Sequence, residues 1–230
     1  MTIGKAVAVP ENTARFQRPR LRAVQGGGSP AEAPVSDEQL IDAVQRGDSR
    51  VADELYRRLA GVVDRTLYKI LGRREPDHDD IVQSAFEQVV LTLARQQFAG
   101  ACSLETWAAR VAGHVGLNAL RSRRRERRWI DRSTEGDAAT PEHPLVRQDS
   151  EKALEARSRL DQVRRHLAAM KPEQAETVFL HDALGHDLAE IAMMTGASVA
   201  ATQSRLVRGR KELFKRIDRE DKASRSRNPS

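Results

Sequence analysis

Four residues near the C-terminal end, Gln203, Ser204, Val207 and Arg208, have the types and spacing to read base edges. A Gln pairs bidentately with adenine and an Arg with guanine; a Ser hydroxyl meets several edges, and Val packs on a thymine methyl. At about 100° per residue all four fall on one side of a helix. Val199, Thr202, Leu206, Gly209 and Leu213 gather on the opposite, inner side. Arg205 and Arg210 fall on the flanks, where phosphates would lie. A solvated basic helix would show the same composition, so the preceding segment matters. There Leu188, Ile191 and Ala192 recur at helical spacing, and Thr195-Gly196-Ala197 breaks the run. Gly196 can take the positive φ of a sharp turn, and Ser198 can cap the second helix. The result is a helix-turn-helix pattern, whose second helix can enter a DNA major groove.

A second set lies earlier. Trp107, Arg110, His114, Asn118 and Arg121 recur at spacings of three and four, as one stripe of a helix. An exposed Trp beside such groups can stack on an unpaired base while they bond its edge. Half-buried packing is the other reading of a lone Trp. The loop Phe98–Ser103, containing Gly100, directly precedes the stripe and could wall a pocket for an extruded base. Arg121, Arg123, Arg124, Arg125, Arg127 and Arg128 then crowd eight positions. They surround a helix end, which is either a phosphate-binding surface or a solvated terminus.

Covalent and metal chemistry find less support. Asp77, His78, Asp79 and Asp80 are consecutive at a helix start and point in different directions. They suit the positive end of the helix dipole better than one ion. His181 and His186 are five apart across Gly185, unlike the i, i+4 pair of a helical zinc site. There is no nucleophile–base pattern and no Gly-rich phosphate loop. The expectation is no catalytic residue, no metal and no cofactor. Cys102 reads as a small packed residue.

The elements that must position these groups are helical throughout. The 230 residues carry 39 Lys+Arg against 33 Asp+Glu, a net charge of +6, with aromatics at 4%. A basic excess favours a polyanionic partner, and few aromatics suit small helical domains. One cysteine excludes an internal disulfide. No apolar run approaches the ~20 residues of a membrane span, and the N-terminus lacks a signal-peptide core. The expected location is the cytoplasm, without membrane insertion.

The predicted fold is all-α: two small helical domains on a flexible linker, the second a helix-turn-helix domain. Residues 1–35, with four prolines and Gly26-Gly27-Gly28, read as a disordered extension. Residues 36–130 form the first domain. Its helices are expected to open at Ser36, at Ser49 and at Pro76-Asp77, and to follow the Ser103 cap. The third of these is expected to run to about Gln97. Residues 131–150 read as linker and 151–217 as the second domain, with helices over about Glu151–Met170 and from Pro172. Residues 218–230 read as a frayed, flexible tail.

Taken in order, the segments resemble bacterial RNA polymerase sigma factors of the extracytoplasmic-function group. SDEQLIDAVQRGDSRVADELYRRLAGVVDRTLYKILG is similar to the opening helices of that family. DHDDIVQSAFEQVV resembles its polymerase-clamp-binding helix, FAGACSLETWAARVAGHVGLNALRSRRR its −10 element helix, and LGHDLAEIAMMTGASVAATQSRLVRGR its −35 reader. The likeness runs from Ser36 to about Ile217.

The resemblance implies three contact sets. Asp80, Gln83 and Phe86 would bind core RNA polymerase, on the clamp coiled coil of its largest subunit. Phe98, Gly100, Ser103, Trp107, Arg110, His114, Asn118 and Arg121 would hold the −10 element and assist promoter melting. Ser198, Gln203, Ser204, Arg205, Val207 and Arg208 would hold the −35 element. An anti-sigma factor is implied as a further partner. Some positions depart from the family pattern. Val90 replaces a frequent Trp, His114 an Asn, Gln203 a basic residue, and Ala201-Thr202 a Thr-Val pair. The rival is a conventional two-domain helix-turn-helix regulator that binds promoters without polymerase. It would have no need of DHDDIVQSAF.

Overall fold

The computed structural model describes residues 35–98, 100, 102–133 and 151–227. The expected disordered extension, but for Val35, and the linker from residue 134 to 150 lie outside the described residues. Every regular element among them is helical, in agreement with the all-α expectation.

Ser36 opens α1 (Asp37–Gln45) with a capping box. Its Oγ accepts from Gln39 N at 3.2 Å and its own N donates to Gln39 Oε1 at 2.8 Å. Gly47, at φ +73°, turns the chain out of α1. A 3₁₀ turn over Ser49–Val51 then leads into α2 (Ala52–Leu71), where a continuous α-helix from Ser49 was expected. Asp48 accounts for the difference: its carboxylate accepts from Arg50 N and holds the tight turn. Gly72, left-handed at φ +79°, ends α2.

Next come α3 (His78–Ala94) and α4 (Leu104–Ser133). α3 stops three residues before the expected Gln97, with Gln96 at φ +56°. Thr106 N donates to Ser103 Oγ at the start of α4, and Leu104 N donates to Asp37 Oδ2 at 3.1 Å. Asp37 also pairs with Arg58. One carboxylate thereby fixes α1, α2 and the origin of α4 together. Leu40, Leu59, Leu67, Val89, Leu93 and Leu104 are fully buried between these helices. α2 and α4 approach closely at Gly116, where an added Cβ would lie 3.0 Å from Ile70.

In the second half, α5 (Glu151–Leu167) ends three residues before the expected Met170. Pro172 begins α6 (Pro172–Val178), which widens into a π-helical turn over Phe179–Ala183. α7 (Leu188–Thr195) and α8 (Val199–Arg227) complete the helices among the described residues. Gly209 of α8 lies against α6, where a Cβ would stand 2.7 Å from Val178 and 3.1 Å from the Gln174 carbonyl. The charged stretch from Asp218, expected to fray, continues as helix to Arg227. Its carboxylates supply the reason. Asp221 accepts from Arg159 and Gln162 of α5, Glu220 pairs with Arg165, and Lys222 with Asp218. No helix among the described residues is long and apolar enough to cross a membrane.

Candidate nucleic-acid interface

The helix-turn-helix is built by three local devices. Asp187 caps α7 in a reciprocal box with Glu190. Gly196 makes the turn at φ +65°. Ser198 Oγ accepts from Ala201 N at 3.1 Å and so fixes the first turn of α8. Thr202 is wholly buried, and its hydroxyl donates back to the Ser198 carbonyl at 3.1 Å. An inward hydroxyl is accommodated in this way without an orphaned polar atom.

Gln203, Ser204, Val207 and Arg208 all stand exposed on the outer side of α8, beside exposed Ser198, while Arg205 is half-buried on the flank. Two expectations change. Val199, assigned to the inner side, is 49% exposed. Arg210, assigned to a phosphate flank, is taken by Asp182. Its Nε donates to Asp182 Oδ2 at 3.0 Å, and Nη2 meets Oδ1 and the His181 ring. The Arg210 bonds, with help from His181, hold the Asp182 carboxyl below its ordinary pKa. This ion pair ties the π-turn to α8.

The α4 stripe stands differently. Trp107 is only 6% exposed, which corrects the expectation of an exposed base-stacking ring. It falls beside Val111 and Leu104 around the helix, on the face that meets the core. Phe98 packs on it edge-on at 5.5 Å, and the Arg110 guanidinium lies 5.1 Å over its ring. Its Nε1 is buried without a hydrogen-bond partner. His114 and Asn118 are exposed, and Asn118 accepts from Arg121 at 2.8 Å. In the preceding loop Gly100 is exposed at φ +69° and Ser103 is exposed as the cap of α4. Residues 99 and 101 lie outside the described set. Burial pushes the pKa of the half-buried Cys102 thiol up, in keeping with a packed residue.

On α3, Asp80 and Gln83 are exposed, and Gln83 donates to Glu87 at 2.9 Å. Phe86 is 8% exposed and tilts against Tyr56 at 4.8 Å. It shares the apolar face of Ile81, Ala85 and Val89, so its ring is core and only Asp80 and Gln83 are presented outward. The acidic–histidine runs disperse. Asp77 pairs with Arg123, buried His78 bonds Asp64 at 2.9 Å, and His186 pairs with Glu190. Among the described residues no three such side chains converge on a metal position.

Sequence reasoning missed Glu176. This α6 carboxylate, 14% exposed, lies 3.3 Å from Arg110 and 4.0 Å from His114 on α4. Burial works to raise its pKa, but His114 and Arg110 outweigh that and hold the carboxyl low. Burial likewise pulls the Arg121 pKa down, against the raising influence of Glu176 and Glu173. No periodicity signals such a contact, because it joins elements more than sixty positions apart.

Two family models match this chain: Sigma-70 region 2 over residues 55–126 and Sigma-70, region 4 over residues 160–213. The ECF RNA polymerase sigma factor SigG of Mycobacterium tuberculosis is 28% identical over 235 residues, covering 87% of this chain. This chain spans only 61% of the length of that relative. The RNA polymerase sigma-H factor of Pseudomonas aeruginosa is 25% identical over 187 residues, covering 79% of this chain and 93% of the relative. A solved structure of CnrH in complex with the cytosolic domain of CnrY aligns at a TM-score of 0.45 and 21% identity. It covers 79% of this chain and 97% of that one.

Proposed function

The chain belongs to the extracytoplasmic-function group of the sigma-70 family, and on that premise we propose that it directs RNA polymerase core enzyme to specific promoters. The observation that carries this reading is the pairing of region 2 and region 4, in that order, each on its own set of helices. A regulator working without polymerase would need only the second set.

In this reading α3 docks on the clamp coiled coil of the polymerase's largest subunit through Asp80 and Gln83. The outer face of α8 lies in the major groove of the −35 element, with Gln203, Ser204, Val207 and Arg208 on base edges and Ser198 and Arg205 toward the backbone. The α4 stripe and the Phe98–Ser103 loop take an extruded base of the −10 element, and His114, Asn118 and Arg121 hold the opened strand. Unstacking one base costs roughly a few kcal/mol, repaid by these contacts, and this nucleates opening. Helices α1 to α4, ending at Ser133, and α5 to α8, ending at Arg227, carry this division of labour, each set reaching past the expected limits of 130 and 217. Tethering turns the second promoter contact into an intramolecular one, so the pair discriminates better than either half. The chain itself supplies binding and strand separation, without a catalytic group. Its place of action is the cytoplasm, where an anti-sigma factor is the expected antagonist.

The direct test is purified chain with core polymerase on a library of promoter-sized genomic fragments. Co-purification of the two, with transcripts starting at discrete new sites, is the expected result. Tight fragment binding by the chain alone, with neither association nor new transcripts, would establish the polymerase-independent regulator instead.

A further inference from the structure

The α4 stripe that the proposed function assigns to the −10 element already has an occupant. α6 lies along it. Glu176 reaches Arg110 and His114, at 3.3 and 4.0 Å. One turn on, the buried Phe179 ring sits against Gly113, so close that a Cβ there would stand 3.2 Å from it. Two further contacts close the seam between the halves. Lys69 Nζ donates to the Ala183 carbonyl at 3.1 Å. Arg164 donates to the Lys69 carbonyl at 3.2 and 3.4 Å, its guanidinium lying over Gly72.

We propose that α6 is an intramolecular stand-in for promoter DNA, its Glu176 carboxylate occupying the cationic −10 surface of α4 until that surface is released. This rests on the promoter-reading function above. The chemistry fits an anion mimic. Arg110 and His114 would meet phosphate or base acceptors in a complex, and a carboxylate offers the same acceptor oxygens. Occupation of one face by the other half of the chain also excludes strand capture sterically, because Phe179 fills the Gly113 notch.

The seam is built to let go. Arg110 Nε, Glu176 Oε1, and Arg121 Nε and Nη2 are all buried without a hydrogen-bond partner. The Arg110–Glu176 pair is therefore close but poorly aligned, and buried polar atoms left unmatched each work against closure. At the far end of α4, burial and then the neighbouring cations Arg128 and Arg216 lower the Arg124 pKa. A few ionic contacts against this opposition make a closed state that polymerase docking or DNA can open. A closed fraction reduces apparent affinity in proportion to the open population left.

The test uses the full chain, a fluorescent pool of random single-stranded DNA of about 20 nucleotides, and energy transfer between labels on the two halves. Glu176→Gln should widen the separation and tighten DNA binding about tenfold, as expected if roughly nine-tenths of free molecules are closed. Asp42→Asn removes one exposed negative charge far from the seam and should change neither reading. Lys69→Ala breaks the seam elsewhere and deletes a positive charge, so a gain in DNA affinity from it cannot be electrostatic. Circular dichroism reports whether each variant keeps its helices. Unchanged separation in both seam variants overturns the inference; if the wild type still redirects core polymerase, the proposed function stands. Widened separation with no gain in binding also overturns it and removes α4 from −10 capture. A seam variant that loses its helices makes the seam part of the fold, and that too overturns it.

Discussion

The α4 stripe and the outer face of α8, both assigned to nucleic acid by the proposed function, stand in opposite states. On α8, Gln203, Ser204, Val207 and Arg208 project into solvent from a helix whose start is fixed by the Ser198 cap and the Gly196 turn. Nothing need move for it to enter a groove. On α4, Trp107 is core, and Arg110 is engaged by Glu176. Reading duplex edges needs only a rigid helix with outward side chains. Capturing an unpaired base needs an aromatic surface that must stay covered in water, since exposing a ring of this size costs several kcal/mol. A covered site must be uncovered, and that is where control can enter.

Trp107→Ala would break the comparison hardest. Emptying that core position should cost about 3–5 kcal/mol of stability, seen as a lower denaturation midpoint, with loss of strand opening. Trp107→Phe should recover most stability but not opening, if the indole also serves the base. Gly209→Ala should disturb the preformed half, because its Cβ would press on Val178 and the Gln174 carbonyl. A cost of about 1–3 kcal/mol in thermal unfolding is expected, with weaker −35 binding resulting from the displaced α8. Arg208→Ala should weaken −35 binding by about 1–3 kcal/mol and leave the unfolding midpoint alone. Unchanged promoter preference would remove it from the reading set. Smallest is Ser198→Ala, about 1 kcal/mol of helix stability from the lost cap, read by hydrogen exchange at Ala201.

The sequence exposed what is local. The Ser36 and Ser198 caps, the positive φ of Gly196 and the inward Thr202 could all be read from type and spacing, since each acts within four residues, whereas the capping box at Asp187 went unread. The exposed outer face of α8 was legible for the same reason: one face of one helix is buried and the other is not. Trp107 reads as an exposed stacking ring because the polar groups of its stripe draw attention to it, while Leu104 and Val111, which share its face, argue for burial. Residues 218–227 read as a frayed charged tail because their partners, Arg159, Gln162 and Arg165, lie more than fifty positions away. Glu176 was invisible on the same ground. Its role comes from how two halves of the chain meet, which no helical period encodes.

The claim at the centre is that one chain holds a promoter at two points while carrying polymerase to it. Mapping transcript 5′ ends across the genome after overexpression tests this most directly, with Arg208→Ala alongside. The account predicts a set of new start sites preceded by two short sequence elements at one fixed spacing, and the loss of that set in the Arg208 variant. An unchanged map of start sites, or new sites that share a single element, would contradict it.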